Sequence, residues 1–349
     1  MNLDVQALWS ALNAAGQSGT DEVCALLPEL CPDLFAGSGI HVDRLNSRVF
    51  RVASVLNDGE VSVVLKRLKP LLAERNELVI RRWLPGLGLP DVAPALVGTI
   101  GDRHGTCVWH VYEDLGTSVL DARYPPLDAL AAAVELMAQL HTRAAGTAIL
   151  AECHQRLDDL GMRYFVSNVG EAVAGLEALD ALEQTLTSTQ RVVRNRLLER
   201  LHALLESVSL RAQLMHECGG PHTLLHGDLW TINTVVIRSS EGLKARLIDW
   251  DRAGVGPVAY DLSTFLYRFA RGERPWILKQ YRSAVARAGW RLPEDPELNV
   301  LFETAECARY ANRIIWPAAA LLAEGAESGH EELAQILGWF DALEPVLPN

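Results

Sequence analysis

The sequence predicts an α+β protein built as two lobes, a small β-rich lobe followed by a larger, mainly helical one. Two observations predict it. The β-branched runs Val49 to Val55 and Val61 to Lys66 flank Asn57-Asp58-Gly59, the signature of a tight hairpin between antiparallel strands. After Gly116 apolar residues instead recur at helical spacing, as in Leu130, Val134, Met137 and Leu140, and again in Leu197, Leu201 and Leu204.

The elements follow in order. Residues 4–30 read as helices with Val5, Leu8, Trp9 and Leu12 on one side, and residues 1–36 form an N-terminal helical cap. The first lobe spans 37–114. In it the hairpin is followed by a helix from Leu71 to Trp83, stopped by Pro85-Gly86 and Gly88-Leu89-Pro90, then by strand-like runs at Ala95 to Ile100 and Thr106 to Tyr112. The second lobe spans 115–349. Only 224–250 interrupts its helices, where Thr234 to Arg238 and Leu243 to Ile248 read as a hairpin turning near Ser239-Ser240-Glu241-Gly242. A cleft between such lobes is the natural binding site.

Composition narrows the partners. A net charge of -12 argues against a nucleic-acid backbone, which usually requires a basic stripe, and points to small molecules. The six cysteines are scattered without a C-x-x-C pair, so neither a zinc site nor a disulfide framework is suggested, and reduced thiols in a cytoplasm fit best. Met1-Asn2-Leu3-Asp4 lacks a secretion signal and no run of about 20 apolar residues occurs, so a soluble, cytoplasmic protein without a membrane partner is expected.

Chemistry concentrates in His226-Gly227-Asp228-Leu229-Trp230-Thr231-Ile232-Asn233. A carboxylate and a carboxamide five positions apart on one loop suit phosphoryl transfer, in which one meets an attacking hydroxyl and the other a metal. The strand Leu243 to Ile248 brings Asp249-Trp250-Asp251 back beside that loop, completing an oxygen-rich cluster suited to magnesium, with Asn233 and Asp249 as the pair.

The pattern H-G-D-x-x-x-x-N followed by I-D-W-D resembles the aminoglycoside phosphotransferase and choline kinase-like family, over about residues 40–320. The resemblance implies a bilobal protein kinase-like fold, with 37–114 as a nucleotide-binding N-lobe and 115–349 as a helical C-lobe holding the catalytic loop and acceptor pocket. It implies that Asp228 is the catalytic base and that Asn233 and Asp249 bind magnesium. His226 would orient the catalytic loop, and Asp261 would brace it by hydrogen bonds.

The same template expects a lysine on a strand and a glutamate on the next helix. Lys66 and Glu77 fit, with Glu74 as rival partner. Leu45-Asn46-Ser47-Arg48-Val49-Phe50 departs from it, lacking the glycines that let backbone amides approach phosphates; Ser47 offers its hydroxyl instead. Tyr112-Glu113-Asp114-Leu115-Gly116, including Glu113 and Leu115, falls where the family's hinge holds the purine of ATP or GTP.

His141 reads as a packing histidine. Glu303 and Glu306 share a helix face that either binds a substrate amine, with Tyr310 and Trp316, or is simply solvated. Asp158-Asp159 is a pocket wall or a helix start, and Trp230 either borders the acceptor or packs under the loop. The chain is expected to phosphorylate a hydroxyl of a small acceptor, an aminoglycoside or another amino sugar or amino alcohol. The alternatives are a nucleotide-binding module without catalysis and a fructosamine or sugar kinase; a protein acceptor is disfavoured because no Ala-Pro-Glu signature follows Asp261.

Overall fold

The described chain divides by its contacts into two units, Met1–Leu120 with Ile232–Asp251, which holds most of the β-structure, and Asp121–Thr231 with Arg252–Asn349, which is mainly helical. The structure, a computed structural model, describes residues 3–57, 59–182, 186–240 and 242–348. Asp58 and Glu241 of the two predicted turns lie outside the described residues.

The first unit begins with α1 (Leu3–Ala14) and α2 (Thr20–Leu30). It continues as a sheet of β1 (Ser38–Arg44), β2 (Val49–Leu56), β3 (Gly59–Leu68), β4 (Leu96–Gly101) and β5 (Val108–Glu113). The strand order is β1-β2-β3-β5-β4, antiparallel throughout. The helices predicted as a separate cap share one core with this sheet. Leu8, Leu12 and Leu27 pack with Val52, Leu65 and Trp109, all without exposed surface. Each such leucine contributes about 1.5–3 kcal/mol of burial. Trp109 Nε1 also donates to the Ser18 carbonyl at 2.9 Å, tying the helical segment to β5.

Period-two alternation decides what the other face presents. Leu65 points to the helices, so Lys66 points away from them, flanked in register by Val49 of β2 and His110 of β5. The predicted helix Leu71 to Trp83 is α3 (Pro70–Glu77) running into a wider, π-helical turn over Leu78–Trp83.

The hairpin Thr234–Ser239 with Gly242–Leu247 was predicted inside the second lobe, and it groups with the first unit instead. The reason is backbone bonding: Leu120 N donates to Thr234 O at 2.8 Å, Val236 N to Ser118 O at 2.9 Å, and Leu247 N to Val92 O at 2.7 Å.

The second unit is helical. Its core packs Met162–Ala178 and Ser188–Glu206 against Asp295–Glu324 and Ser328–Ala342 through Phe165, Val169, Leu197, Leu201, Ala311 and Ile314. A capping box of Thr187 and Gln190 starts Ser188–Glu206 by satisfying end amides that have no helical partner. A small sheet of Asp158–Asp159, Gly254–Gly256 and Thr223–Leu225 was not anticipated. Asp158-Asp159 is therefore a strand, and Asp159 Oδ1 accepts from Gly161 N at 2.7 Å just before a helix begins. Among the described residues no helix is long and apolar enough to cross a membrane, and all six cysteines are free thiols.

Candidate active site

In the first unit one cavity of about 350 Å³ collects much of the predicted nucleotide machinery. Lys66, Glu113, Leu115, Asn233 and Asp249 all line it, among apolar walls from Leu45, Val64, Ile80 and Ile248. Ser47 and Glu77 are not among its lining residues. Ser47 sits exposed in the β1–β2 turn, where its carbonyl accepts from Gln17 Nε2 at 3.1 Å. That turn is shaped by Asn46, whose Oδ1 accepts from Arg48 N at 2.8 Å. A side-chain acceptor thus closes this turn and occupies the Arg48 amide.

Lys66 Nζ donates to Asp249 Oδ1 and to Asp251 Oδ1, each at 2.7 Å. The predicted Lys66–Glu77 pair is therefore not formed. Glu77 Oε1 lies instead 3.5 Å from His110 Nε2, while its neighbour Asn76 donates to Asp251 Oδ1 at 3.1 Å. The register explains this: β3 and β5 set His110 directly opposite Lys66, and His110 meets the Glu77 carboxylate. Asp251, present in the sequence motif but given no role, is thus one of the two carboxylates on the lysine. Burial, followed by the charges of Lys66 and Arg81, pushes the His110 imidazole down to about 4.

Asn233 and Asp249 are neighbours by backbone bonding, since Ile248 N donates to Asn233 O at 2.9 Å. Asp249 has φ 67, in the left-handed region that non-glycine residues seldom occupy and that clusters at functional sites. A carboxamide and a carboxylate facing one cavity fit magnesium, which takes few protein ligands and keeps its remaining positions for water and phosphate. Among the described residues no group of three or more His, Cys, Asp or Glu forms an all-protein metal cage.

The segment Tyr112 to Gly116, the expected hinge, lines the same cavity, and its carboxylates are engaged locally. Glu113 accepts from Arg246 at 3.0 Å and Ala95 N at 3.1 Å; Asp114 accepts from Arg51 at 2.5 Å and Ser62 at 2.7 Å. Burial alone would raise the Asp114 carboxyl, and the bonds from Arg51 and Ser62 hold it low.

In the second unit the strand Thr223–Leu225 leads into the loop that carries His226, Gly227 and Asp228. His226 is fully buried, and its backbone N–H donates to Asp261 Oδ2 at 2.7 Å while that of Gly227 donates to Oδ1 at 2.9 Å. His141 Nε2 stands 3.3 Å from the same Oδ2, and its Nδ1 bonds the Tyr281 hydroxyl at 2.8 Å. Burial works to raise the Asp261 carboxyl, but these partners bring it below the usual range. Gly227 has φ 80, and a Cβ there would fall 1.8 Å from the Arg252 carbonyl oxygen, so only glycine fits.

Asp228 is half-buried and lines a cavity of about 390 Å³ with Trp230, Tyr164, Tyr260, Tyr310 and Trp339. Trp230 therefore borders that cavity, under the guanidinium of Arg268 at 4.0 Å from the ring centroid. Four arginines, Arg252, Arg268, Arg309 and Arg313, line it as well. Sequence reading missed all four; Arg309, three positions after Glu306, and Arg313, four after Arg309, carried a local signal because they share one helix face.

A sheet-based unit carrying the lysine, carboxamide and carboxylate, with a helical unit carrying the braced aspartate loop, makes this α+β protein one of the bilobal protein kinase-like phosphotransferases. The model of the phosphotransferase enzyme family matches residues 37–295, and the chain belongs to that family. The GDP and kanamycin complex of APH(2")-IIia is 14% identical with a TM-score of 0.58, covering 91% of this chain and 97% of that one. A spectinomycin phosphotransferase in complex with ADP and spectinomycin is 13% identical with a TM-score of 0.55, covering 93% and 95%. An ethanolamine kinase from Plasmodium vivax is 11% identical with a TM-score of 0.55, covering 97% and 94%. These likenesses carry the fold alone. No curated protein sequence matches the chain.

Proposed function

We propose that this protein is a small-molecule kinase, acting in the cytoplasm, that transfers the γ-phosphate of ATP or GTP to a hydroxyl of a small acceptor. The observation that carries the reading is the convergence of Lys66, Asn233 and Asp249 with the hinge segment on one cavity. In this reading Asn233 and Asp249 hold magnesium, which supplies charge neutralisation on the phosphates. Lys66 turns from Asp249 and Asp251 to a phosphate oxygen, its ammonium already aimed into the cavity by β3. The apolar walls and the backbone of Tyr112 to Gly116 take the base.

Asp228 orients the acceptor hydroxyl and receives its proton as the bond to phosphorus forms. Asp261 keeps that loop in place through the His226 and Gly227 amides, which makes His226 a positioning residue rather than a catalytic one. Amino sugars and amino alcohols are the acceptors suggested by the names of the similar structures; the lining of the second cavity bears on that choice below.

The test is magnesium-dependent transfer from ATP and GTP to a panel of hydroxyl compounds, read as phosphorylated product by mass. Asp228→Asn is expected to lower kcat by about 10²–10⁴-fold while nucleotide binding persists. Full activity in that variant would refute the assigned base, and nucleotide binding without transfer to any acceptor would leave a non-catalytic module.

A further inference from the structure

The cavity beside Asp228 carries a charge opposite to that of the whole chain. The protein has a net charge of -12, yet this lining sets four arginines against two carboxylates, Asp228 and Glu306. Glu306 is 3% exposed and bonded to Arg309, which also donates to Tyr260 O at 3.0 Å and to Ser263, so that pair is neutral and fixed. Arg252, Arg268 and Arg313 have no carboxylate partner among the described residues. The Nε of Arg268 is buried without an acceptor, its guanidinium stacked on Trp230 next to Asp228. Arg252 and Arg313 are exposed.

Glu303 and Glu306, for which amine binding was one of two readings, are otherwise engaged. Glu303 pairs with Arg211 at 2.7 Å and lines a different cavity, and Trp316 is 70% exposed and away from the Asp228 lining. An ammonium entering beside Asp228 would meet uncompensated positive charge. A carboxylate or phosphate would meet planar donors that bind it in pairs, at a site whose sign also draws anions in.

We propose that the acceptor is an anionic hydroxyl compound, such as a hydroxy acid, sugar acid or sugar phosphate, held through its anionic group by Arg268, Arg252 and Arg313 while its hydroxyl faces Asp228. The proposal rests on the kinase reading above. The transfer forms a bond from the acceptor oxygen to the γ-phosphorus and breaks the bond from that phosphorus to the β,γ-bridging oxygen. The electron pair leaves with the nucleoside diphosphate, and the hydroxyl proton passes to Asp228.

The experiment takes the full chain with magnesium and ATP and offers four acceptors on one skeleton: glucuronate, a glucose phosphate, glucose and glucosamine. An anionic member is expected to exceed glucose and glucosamine in kcat/KM by roughly tenfold or more, the two anions separating carboxylate from phosphate preference. Arg268→Gln and Arg313→Gln should each reduce it by roughly tenfold to a hundredfold, mainly through KM. Arg313→Glu, at an exposed position, should move the preference toward the amine. Turnover of glucosamine equal to or better than that of both anions overturns the proposal and leaves the kinase reading standing. If no acceptor is phosphorylated, the kinase reading falls for this panel and calorimetry decides the charge inference. Anion binding that is lost in Arg313→Glu upholds it, and absence of anion binding sinks it.

Discussion

Two buried histidines, one in each unit, have nearly the same surroundings and different consequences. His110 and His141 are both without exposed surface, and each bonds a tyrosine hydroxyl through Nδ1 at 2.8 Å. Each also presents Nε2 to a carboxylate, Glu77 at 3.5 Å and Asp261 at 3.3 Å. The difference lies in the carboxylate. Asp261 is fully buried and accepts from two loop amides, so its charge is held by fixed dipoles and braces the His226–Asp228 loop. Glu77 remains 36% exposed at the side chain, and the imidazole it faces is pushed down by burial and by Lys66. The same trio of groups is a brace when the carboxylate is buried and a pH-sensitive packing element when it is not.

Substitutions at these two places break or sharpen the contrast. The largest effect is expected for Asp261→Asn, which puts an amide where two backbone N–H groups and His141 need an anion. It should cost about 3–5 kcal/mol in urea unfolding and lower kcat with it. Retention of parental stability would mean that the loop amides do not depend on this charge. The second effect is one of pH. His110 has its folded value near 4 against 6.5 ordinarily, so the neutral ring is favoured by folding. Stability from this group is complete above about pH 6.5 and is lost as pH falls toward 4, on the order of 3 kcal/mol in all. His110→Gln should flatten urea midpoints over that window, and an unchanged pH slope would count against a neutral buried ring. Asp261, held low, loses its share only further into acid, below the usual carboxylate range. The smallest effect is expected for Glu77→Gln, a partly exposed and long pair whose loss should change stability by under about 1 kcal/mol. A turnover loss of tenfold or more there would restore Glu77 as the residue that holds Lys66 during catalysis.

The sequence carried much of this fold because its strongest signals are local. The β-branched run that ends at Lys66 showed its strand, and the hairpin that leads to Asp249 showed in two strand-like runs on either side of a turn. β1 was missed because Ser38–Arg44 has only Ile40 and Val42 as large apolar residues, and it becomes a strand by pairing with β2. The helices of 3–30 were legible as amphipathic, but amphipathicity names a face and not what covers it; the sheet covers it here. The partner of Lys66 was misassigned because chain order cannot say which of several carboxylates lies within reach. The arginines beside Asp228 were overlooked because Arg252 and Arg268 lie in turns far along the chain from the helix that carries Arg309 and Arg313, and only packing brings the four to one cavity.

The close approach of Gly227 to the Arg252 carbonyl sets apart what can drift over generations from what cannot. Any side chain at 227 collides with main chain, so a lineage keeps that residue or loses the loop. The Arg252 side chain, on the very residue whose carbonyl enforces this, is exposed and under no such steric constraint. On the proposed reading, acceptor preference in this scaffold is therefore the evolvable trait, and the geometry of the aspartate loop is the inherited one.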